Sequence, residues 1–282
     1  MKKNLLLFLS LLFIYPLFSS GQTEEITKPT IAVSIIPQAT FVEKIAKDKV
    51  DIVTLIPKGS SPENYEPTPK QRIEFENSDL YFSIGVLSEE FNILPMVNKE
   101  NTKVIYLANE VEEVYPPIYI GQSRDPHIWL SPKRVLIMVD IIERELSLLD
   151  SENENFYKEN AAAFKKEINA AIVEIEKSLE TSQNKSFLVY HPAFSYFADD
   201  FNLNMLSIEE EGKEITPKSL IATINKAKEL GITNLYYQAE IASEKSISIS
   251  KELKGEAILL DPLSPNYVEN LIIMANTFKE NF

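Results

Sequence analysis

Residues 151–181 read SENENFYKENAAAFKKEINAAIVEIEKSLET, and this stretch decides how the chain is organised. It lies within an interval, residues 133–191, that contains neither proline nor glycine. Ser151 and Glu154 have the spacing of a capping box, and apolar residues then recur at helical spacing on one face. These residues are Phe164, Ile168, Ala171, Ile172, Ile175 and Leu179. The pattern predicts a helix over residues 152–181, about 45 Å long at ~1.5 Å per residue, which is long enough to connect two lobes.

On both sides of this stretch, helical patterns alternate with short apolar runs that are typical of buried strands. Before it, the sequence predicts strands at 30–36, 51–56, 79–84 and 103–107, and helices at 41–47 and 70–77. After it, the sequence predicts strands at 187–190, 234–237 and 257–260, and helices at 194–201 and 267–278. Such alternation is typical of mostly parallel, doubly wound sheets. We therefore expect two doubly wound α/β lobes, residues 22–150 and 183–282, joined by one long rigid helix at 151–182.

The N-terminus has the features of a secretory signal peptide. Lys2 and Lys3 precede an apolar run at residues 5–18, which is too short to span a bilayer comfortably. Small residues at 19–21 offer a cleavage site, so residues 1–21 are predicted to be removed; a membrane anchor is the alternative, which the length of the run disfavours. The sequence contains no cysteine, so we expect neither a lipid-modified N-terminus nor disulfide bonds. The chain is therefore predicted to be an exported, soluble protein of the periplasm.

The overall charge excludes some partners but identifies no ligand. The formal net charge is −14, and loss of Lys2 and Lys3 with the signal peptide makes it −16. So acidic a protein is not expected to bind nucleic acid or to adhere to anionic lipid. The length of the mature chain, roughly 260 residues, suits about two domains with ordinary hydrophobic cores.

Four residues occupy positions that favour ligand binding in an α/β protein. His191 and Asp261 directly follow apolar strands, and in each case a proline then ends the strand. His127 lies in a turn just before a helix, and Glu63 lies in a proline-rich loop after the strand at 51–56. His127 and His191 are the only histidines and are far apart, so there is no local zinc motif. Taken singly, a histidine is usually a hydrogen-bonded structural residue, and the Glu63 loop could equally be an ordinary surface loop.

Four segments together resemble a known family. They are SPENYEPTP at residues 61–69, DPHIWLSP at 125–132, HPAFSYF at 191–197 and DPLS at 261–264. In this order they resemble the zinc/manganese solute-binding proteins of bacterial ABC importers, the ZnuA/TroA-like family, over essentially the whole mature chain. The resemblance implies a metal site in the cleft between the lobes, with ligands at Glu63, His127, His191 and Asp261. Glu63 stands where the family most often has histidine, which shifts the donor set toward oxygen.

The resemblance also implies a function. Such a protein captures a divalent transition metal and delivers it to the ABC transporter permease at the inner membrane. Two neutral imidazoles and two carboxylates would balance the charge of a divalent cation. The Irving–Williams order favours Zn²⁺, while paired carboxylates also suit Mn²⁺, so manganese or iron stays open as the alternative. We expect a monomer that is not an enzyme, because a closed set of four ligands leaves no coordination position for a reacting water.

An exported metallohydrolase and an adhesin of the same fold are the competing interpretations. The hydrolase would need a general base beside a metal-bound water, and the sequence has neither a Ser-His-Asp order nor a His-Glu-x-x-His segment to supply one. The fold alone does not exclude an adhesin. The glutamates at 209–211 and Glu240 are candidates for contacts at the lobe surface or for hydrogen bonds to the ligands, although charge runs are usually solvated. Trp129 is expected to pack near His127.

Overall fold

The computed structural model describes residues 28–180, 182, 185–209, 215–239 and 243–280. The predicted signal peptide, residues 1–21, lies outside the described residues. Within these ranges, no helix combines the length and the apolar composition that crossing a bilayer requires.

A sheet of four parallel strands forms the N-terminal lobe. In chain order the elements are β1 (Thr30–Val33), α1 (Ile36–Ala46), β2 (Asp51–Thr54), α2 (Pro69–Glu76), β3 (Leu80–Ser83), β4 (Lys103–Tyr106) and α3 (Leu107–Glu112). The strands are arranged in the order β2-β1-β3-β4. A π-helical turn at Glu89–Ile93 and a 3-10 turn at Leu94–Met96 follow β3. Because the strands are parallel, the loops after β1, β2 and β3 meet at one edge of the sheet.

Two short strands and two helices then lead out of this lobe. β5 (Tyr119–Ile120) and β6 (Ser123–Arg124) form an antiparallel pair, and a 3-10 turn follows at Ile128–Leu130. The helices are α4 (Pro132–Leu149) and α5 (Glu154–Glu180).

A second sheet of four parallel strands forms the C-terminal lobe. Its elements are β7 (Ser186–Val189), α6 (Ser195–Phe201), β8 (Asn204–Ser207), α7 (Pro217–Glu229), β9 (Leu235–Gln238), α8 (Ser243–Glu252), β10 (Ala257–Leu260) and α9 (Tyr267–Glu280). The strand order is β10-β9-β7-β8. Helices pack on both faces, as the doubly wound architecture requires, and a smaller apolar core around Leu188, Tyr190 and Leu235 fills one face of this sheet.

The long helix α5 connects the two lobes. All six apolar residues of its predicted face are buried. It packs against α1 and α4 on the N-terminal side and against α9 of the C-terminal lobe. The ring of Phe41 in α1 lies 6.0 Å from Phe164 in α5 and 4.8 Å from Tyr267 in α9, measured between centroids. One continuous core therefore links both lobes.

The start of α5 differs from the prediction. The helix begins at Glu154, because residues 151–153 form a 3-10 turn. The carboxylate of Asp150, rather than Ser151, holds this turn by accepting bonds from Asn153 Nδ2 at 2.7 Å and from the hydroxyl of Tyr157 at 2.6 Å. With 27 residues the helix is about 40 Å long.

Specific hydrogen bonds attach the segment before α4 to the C-terminal lobe. The indole nitrogen of Trp129 donates to the carbonyl of Pro262 at 2.9 Å, and Tyr267 donates its hydroxyl to the carbonyl of Trp129, also at 2.9 Å. At the start of α4, Ser131 donates to buried Asp200 of α6 at 2.7 Å, and Arg134 pairs with the same carboxylate at 3.2 Å. Residues 127–134 are consequently held on the C-terminal lobe although they precede the connecting helix in sequence.

The predicted α/β architecture is confirmed, but three elements of the C-terminal lobe were not predicted. β8 is an edge strand with only Met205 and Leu206 as apolar residues, so it lacks a recognisable apolar run. α8 contains isoleucine at alternate positions, Ile247 and Ile249, a spacing more typical of a strand. α7 has apolar residues at helical spacing, Leu220, Ile224 and Ala227, which pack on the core of this lobe, and its omission is an error of the sequence interpretation.

Candidate metal centre

Loops from different parts of the chain bring Glu63, His127 and His191 together. Glu63 lies in the loop between β2 and α2, and His127 immediately precedes the 3-10 turn at residues 128–130. His191 lies two residues beyond β7, where Pro192 prevents the strand from continuing. Both histidines are buried and Glu63 is partly buried. One donor atom from each of the three side chains lies within 4.8 Å of the others.

The distances between these donor atoms suit a small cation. Nε2 of His127 lies 3.3 Å from Nε2 of His191, and the latter lies 2.8 Å from Oε1 of Glu63. Two nitrogens bound to one tetrahedral Zn²⁺ at 2.0–2.1 Å would be about 3.3 Å apart. The two imidazoles are thus already spaced as ligands of a single ion.

The opposite nitrogen of each imidazole faces a carboxylate. Nδ1 of His127 is 2.7 Å from Oδ1 of Asp125, which also accepts the main-chain N–H of His127 at 2.9 Å. Nδ1 of His191 is 3.2 Å from Oε2 of Glu209. Carboxylates in this position fix the ring orientation and the tautomer, so that Nε2 of each histidine presents its lone pair to a metal. The prediction that glutamates at 209–211 are hydrogen-bonding candidates agrees with the contact of Glu209; Glu210, Glu211 and Glu240 lie outside the described residues.

These carboxylates also change the protonation of the site. Burial alone would lower the pKa of His191, but hydrogen bonds and charge from Glu209 and Glu63 outweigh it and raise this pKa to about 9. The hydrogen bond to His191 holds the pKa of Glu63 below its usual value despite partial burial. In the metal-free protein, His191 is therefore protonated at neutral pH, and a metal ion must displace that proton.

The space between the three side chains is very small. The cavity encloses about 10 Å³, roughly the room that one water molecule needs. Apart from the three side chains, its walls include Ser61, Pro62, Val86, Leu87, Pro126, Trp129, Gln238, Pro262 and Leu263. The ring of Trp129 packs 5.2 Å from that of His127, as the sequence predicted. The space enclosed between the three side chains is therefore of a size that suits a single ion.

Asp261, the fourth predicted ligand, directly follows β10 as expected but is not among the three grouped side chains. Its Oδ1 accepts the N–H of Leu263 at 3.0 Å, and Pro262 and Leu263 form the nearby wall of the cavity. The structure thus brings three of the four predicted residues together, and the role of Asp261 as a ligand stays a prediction.

Gln238 is a site residue that the sequence analysis missed. It is the last residue of β9, it is buried, and it lines the cavity. Among the described residues its Nε2 has no hydrogen-bond partner. A buried amide without a partner is unfavourable. In the metal-bound site, Nε2 of Gln238 would gain an acceptor if it donated to a carboxylate oxygen of a ligand residue. Its place at the carboxyl end of a strand was the only signal in the sequence.

Comparison with known proteins identifies similar chains over nearly the full length. The profile of one family, zinc-uptake complex component A, periplasmic (ZnuA), matches residues 31–281. A curated relative from Chlamydia trachomatis serovar D is 26% identical over 276 residues, which are 97% of this chain and 98% of the relative. The crystal structure of ZnuA has a TM-score of 0.83 and 32% identity, covering 90% of this chain and 99% of that chain.

A further relative is longer. The zinc-binding lipoprotein AdcA of Streptococcus pneumoniae serotype 4 is 26% identical over 278 residues, which are 93% of this chain but only 56% of AdcA. The chain therefore spans about half the length of AdcA.

Proposed function

The chain belongs to the ZnuA family of zinc-uptake components, and from this premise we propose that it captures one Zn²⁺ ion and delivers it to a membrane ABC importer. The observation that supports the proposal is the group formed by Glu63, His127 and His191, with donor atoms within 4.8 Å of one another. The distance of 3.3 Å between the two Nε2 atoms suits tetrahedral zinc. Each Nδ1 atom contacts a carboxylate, Asp125 or Glu209, which is typical of histidines that bind a metal.

We infer that Asp261 supplies the fourth ligand. It follows the strand next to β9 at the same edge of the sheet, and its neighbours Pro262 and Leu263 already line the cavity. A rearrangement of this loop would bring the carboxylate to the ion, where Pro262 and Leu263 now form the wall. With Glu63 and Asp261 ionised and both imidazoles neutral, the ligands carry two negative charges, which balance a divalent cation.

Zinc is the proposed cargo, and manganese is the second candidate. Imidazole ligands and the Irving–Williams order favour zinc, while Glu63 and Asp261 could both bind manganese through two oxygens. The partial exposure of Glu63 leaves its carboxylate some freedom, which is the feature that favours manganese.

We propose that the protein binds the ion without transforming a substrate. A set of four protein ligands would leave no metal-bound water to activate, and the space enclosed between the ligands is only about 10 Å³. The partners are then the metal ion and the permease of the importer, and the protein acts as a monomer.

We also propose that the mature protein is free in the periplasm. AdcA is named a lipoprotein, whereas the present sequence contains no cysteine to which a lipid could be attached. Cleavage near residue 21 would then leave a soluble chain; mass spectrometry of the exported protein would give its N-terminal residue and would detect a lipid.

The experiment that tests the function is a metal-binding measurement. Elemental analysis of the natively purified protein is expected to find one equivalent of zinc. Competition with a chelating dye should then show severe loss of zinc affinity in His127→Ala and in His191→Ala, because each removes one of the few ligands. Zinc should also raise the melting temperature of the wild-type protein by linkage.

Glu63→Gln needs a matched control, which Glu66→Gln provides. Glu66 lies in the same loop and forms an exposed ion pair with Arg72 at 2.9 Å, away from the cavity. We expect Glu63→Gln to weaken zinc binding and Glu66→Gln to leave it unchanged. A protein that gains no thermal stability from zinc, manganese or iron at saturating concentration would not be a metal receptor.

A further inference from the structure

The loop that carries Glu63 is held on α2 by the hydroxyl of Tyr65, which donates to Gln71 at 2.8 Å. At Glu63 itself the loop has few hydrogen bonds of its own: the N–H of Glu63 is 3.3 Å from the hydroxyl of Ser61. Glu63 is also the most exposed of the three grouped side chains, and its carboxylate contacts Nε2 of His191 at 2.8 Å. The main chain next to Glu63 therefore needs further support from outside the loop.

That support comes from the residues around the π-helical turn. The N–H of Ser88 donates to the carbonyl of Pro62, directly before Glu63, at 3.3 Å. Nδ2 of Asn92 donates to the carbonyl of Tyr65, two residues after Glu63, at 2.9 Å. We name residues 88–92 the π clamp. It holds the main chain on both sides of Glu63, the least buried of the three grouped side chains.

The π clamp is itself fixed to the sheet by Glu89. This carboxylate is 1% exposed and accepts bonds from Ser83 Oγ at 2.5 Å, Ile84 N at 2.9 Å and Gly85 N at 2.7 Å, as well as from the hydroxyl of Ser34. These partners lie at the carboxyl ends of β1 and β3. An apolar side chain could fill this space without the cost of burying a carboxyl group. We therefore interpret the hydrogen bonds of Glu89 as contacts that fix the position of the turn.

The π-helical geometry of residues 89–93 is consistent with a role in positioning side chains. One additional residue within a helical turn changes the direction of the side chains that follow it, and such turns occur frequently at functional sites. Here the turn directs Asn92 toward the Glu63 loop, while Val86 and Leu87, just before the clamp, form part of the cavity wall. The clamp thus holds the Glu63 loop, and the segment that leads into the clamp forms part of the cavity wall.

We propose that Asn92 is a positioning residue for Glu63, and that the π clamp sets the preference of the site for zinc over manganese. Holding the main chain on both sides of Glu63 restricts the directions from which its carboxylate can reach the ion, which favours binding through one oxygen to tetrahedral zinc. A carboxylate on a loosened loop can turn to bind through two oxygens and complete the higher coordination of manganese. The inference rests on the proposed ligand role of Glu63.

The test is a double-mutant cycle between Asn92 and Glu63. Asn92→Leu preserves the size of the side chain and removes the donor. Zinc and manganese affinities are measured by dye competition for the wild type, Asn92→Leu, Glu63→Gln and the double variant. We expect Asn92→Leu to weaken zinc binding roughly fivefold to tenfold, the usual effect of one lost hydrogen bond, and to weaken manganese binding less. In the Glu63→Gln background the effect should vanish.

Asn77→Leu is the matched control. Nδ2 of Asn77 also donates to a main-chain carbonyl, that of Ile73 at 2.8 Å, but at the end of α2 that precedes β3, opposite the edge where the site lies. Asn77→Leu should leave both metal affinities unchanged. The visible spectrum of bound Co²⁺ supplies a readout that general destabilisation would not alter: four-coordinate intensity should fall in Asn92→Leu and persist in Asn77→Leu. Asn92→Asp, which keeps the size and lacks the donor, replaces Asn92→Leu if that variant folds poorly.

The outcomes separate the inference from the function on which it rests. If Glu63→Gln weakens zinc binding but Asn92→Leu weakens it equally in both backgrounds, or does not weaken it at all, the positioning role is overturned and the ligand role of Glu63 stands. If Glu63→Gln leaves zinc affinity unchanged, both the ligand role and the positioning role are overturned, while the histidine variants still test metal capture.

Discussion

Lowering the pH from 9 to 7 should weaken zinc binding by about fiftyfold. The pKa of His191 is about 9, so at pH 7 only about 1% of the metal-free protein has a neutral His191. Proton competition then divides the intrinsic affinity by about 100 at pH 7 and by about 2 at pH 9. Affinity falls as the pH falls because, below the raised pKa of His191, a proton occupies Nε2 and must leave before the metal binds.

The measurement is a chelator competition at half-unit pH intervals, corrected for the protonation of the chelator. Calorimetry in two buffers of different ionisation enthalpy should show release of about one proton per zinc at pH 7. The two histidines of the chain make the assignment direct, because NMR of the metal-free protein shows two imidazoles and His191→Asn leaves one. A change in affinity of less than tenfold between pH 9 and pH 7, or release of clearly less than one proton, would refute the reasoning.

Three further predictions use the same contacts. The metal-free protein should lose about 3 kcal/mol of its free energy of unfolding as the pH rises from 6.5 through 9, because the raised pKa of His191 stabilises the fold only while the imidazole is protonated. Chemical denaturation at each pH measures this free energy, and a flat pH profile would contradict the prediction. Asp125→Asn should weaken zinc binding about 10- to 100-fold and more than Glu209→Gln, since its contact with the histidine is shorter, 2.7 Å against 3.2 Å; equal losses would argue against this ranking. Glu63→His should raise the preference for zinc over manganese in competitive titration, since it replaces a possible bidentate oxygen donor by imidazole, and an unchanged ratio would remove Glu63 from the ligands.

The features that local patterns determine were predictable from the sequence. The apolar face of α5 repeats at helical spacing over several turns, so its burial could be predicted residue by residue. His191 could be placed at a strand end because an apolar run precedes it and a proline follows it. The signals that failed were short or misleading ones, as in β8 and α8, where tertiary packing determines the element.

The supporting contacts of the site could not be predicted in the same way. Asp125 lies only two residues from His127, but its contact with Nδ1 of His127 depends on the conformation of the turn, which the sequence does not reveal. Gln238 and Asn92 reach the site or its loop across long sequence separations, and neither residue type identifies itself as functional. Asp261 lies outside the grouped side chains and accepts a local bond from Leu263, an arrangement that the strand-end rule does not describe.

The size of the cavity has a consequence for which ions can occupy it. With about 10 Å³ available, a bound ion cannot keep its hydration shell and has to exchange its waters for protein ligands. Mg²⁺ gives up water reluctantly and requires near-ideal octahedral geometry with several retained waters. A chamber of this size therefore disfavours Mg²⁺ whatever the identity of the ligand atoms.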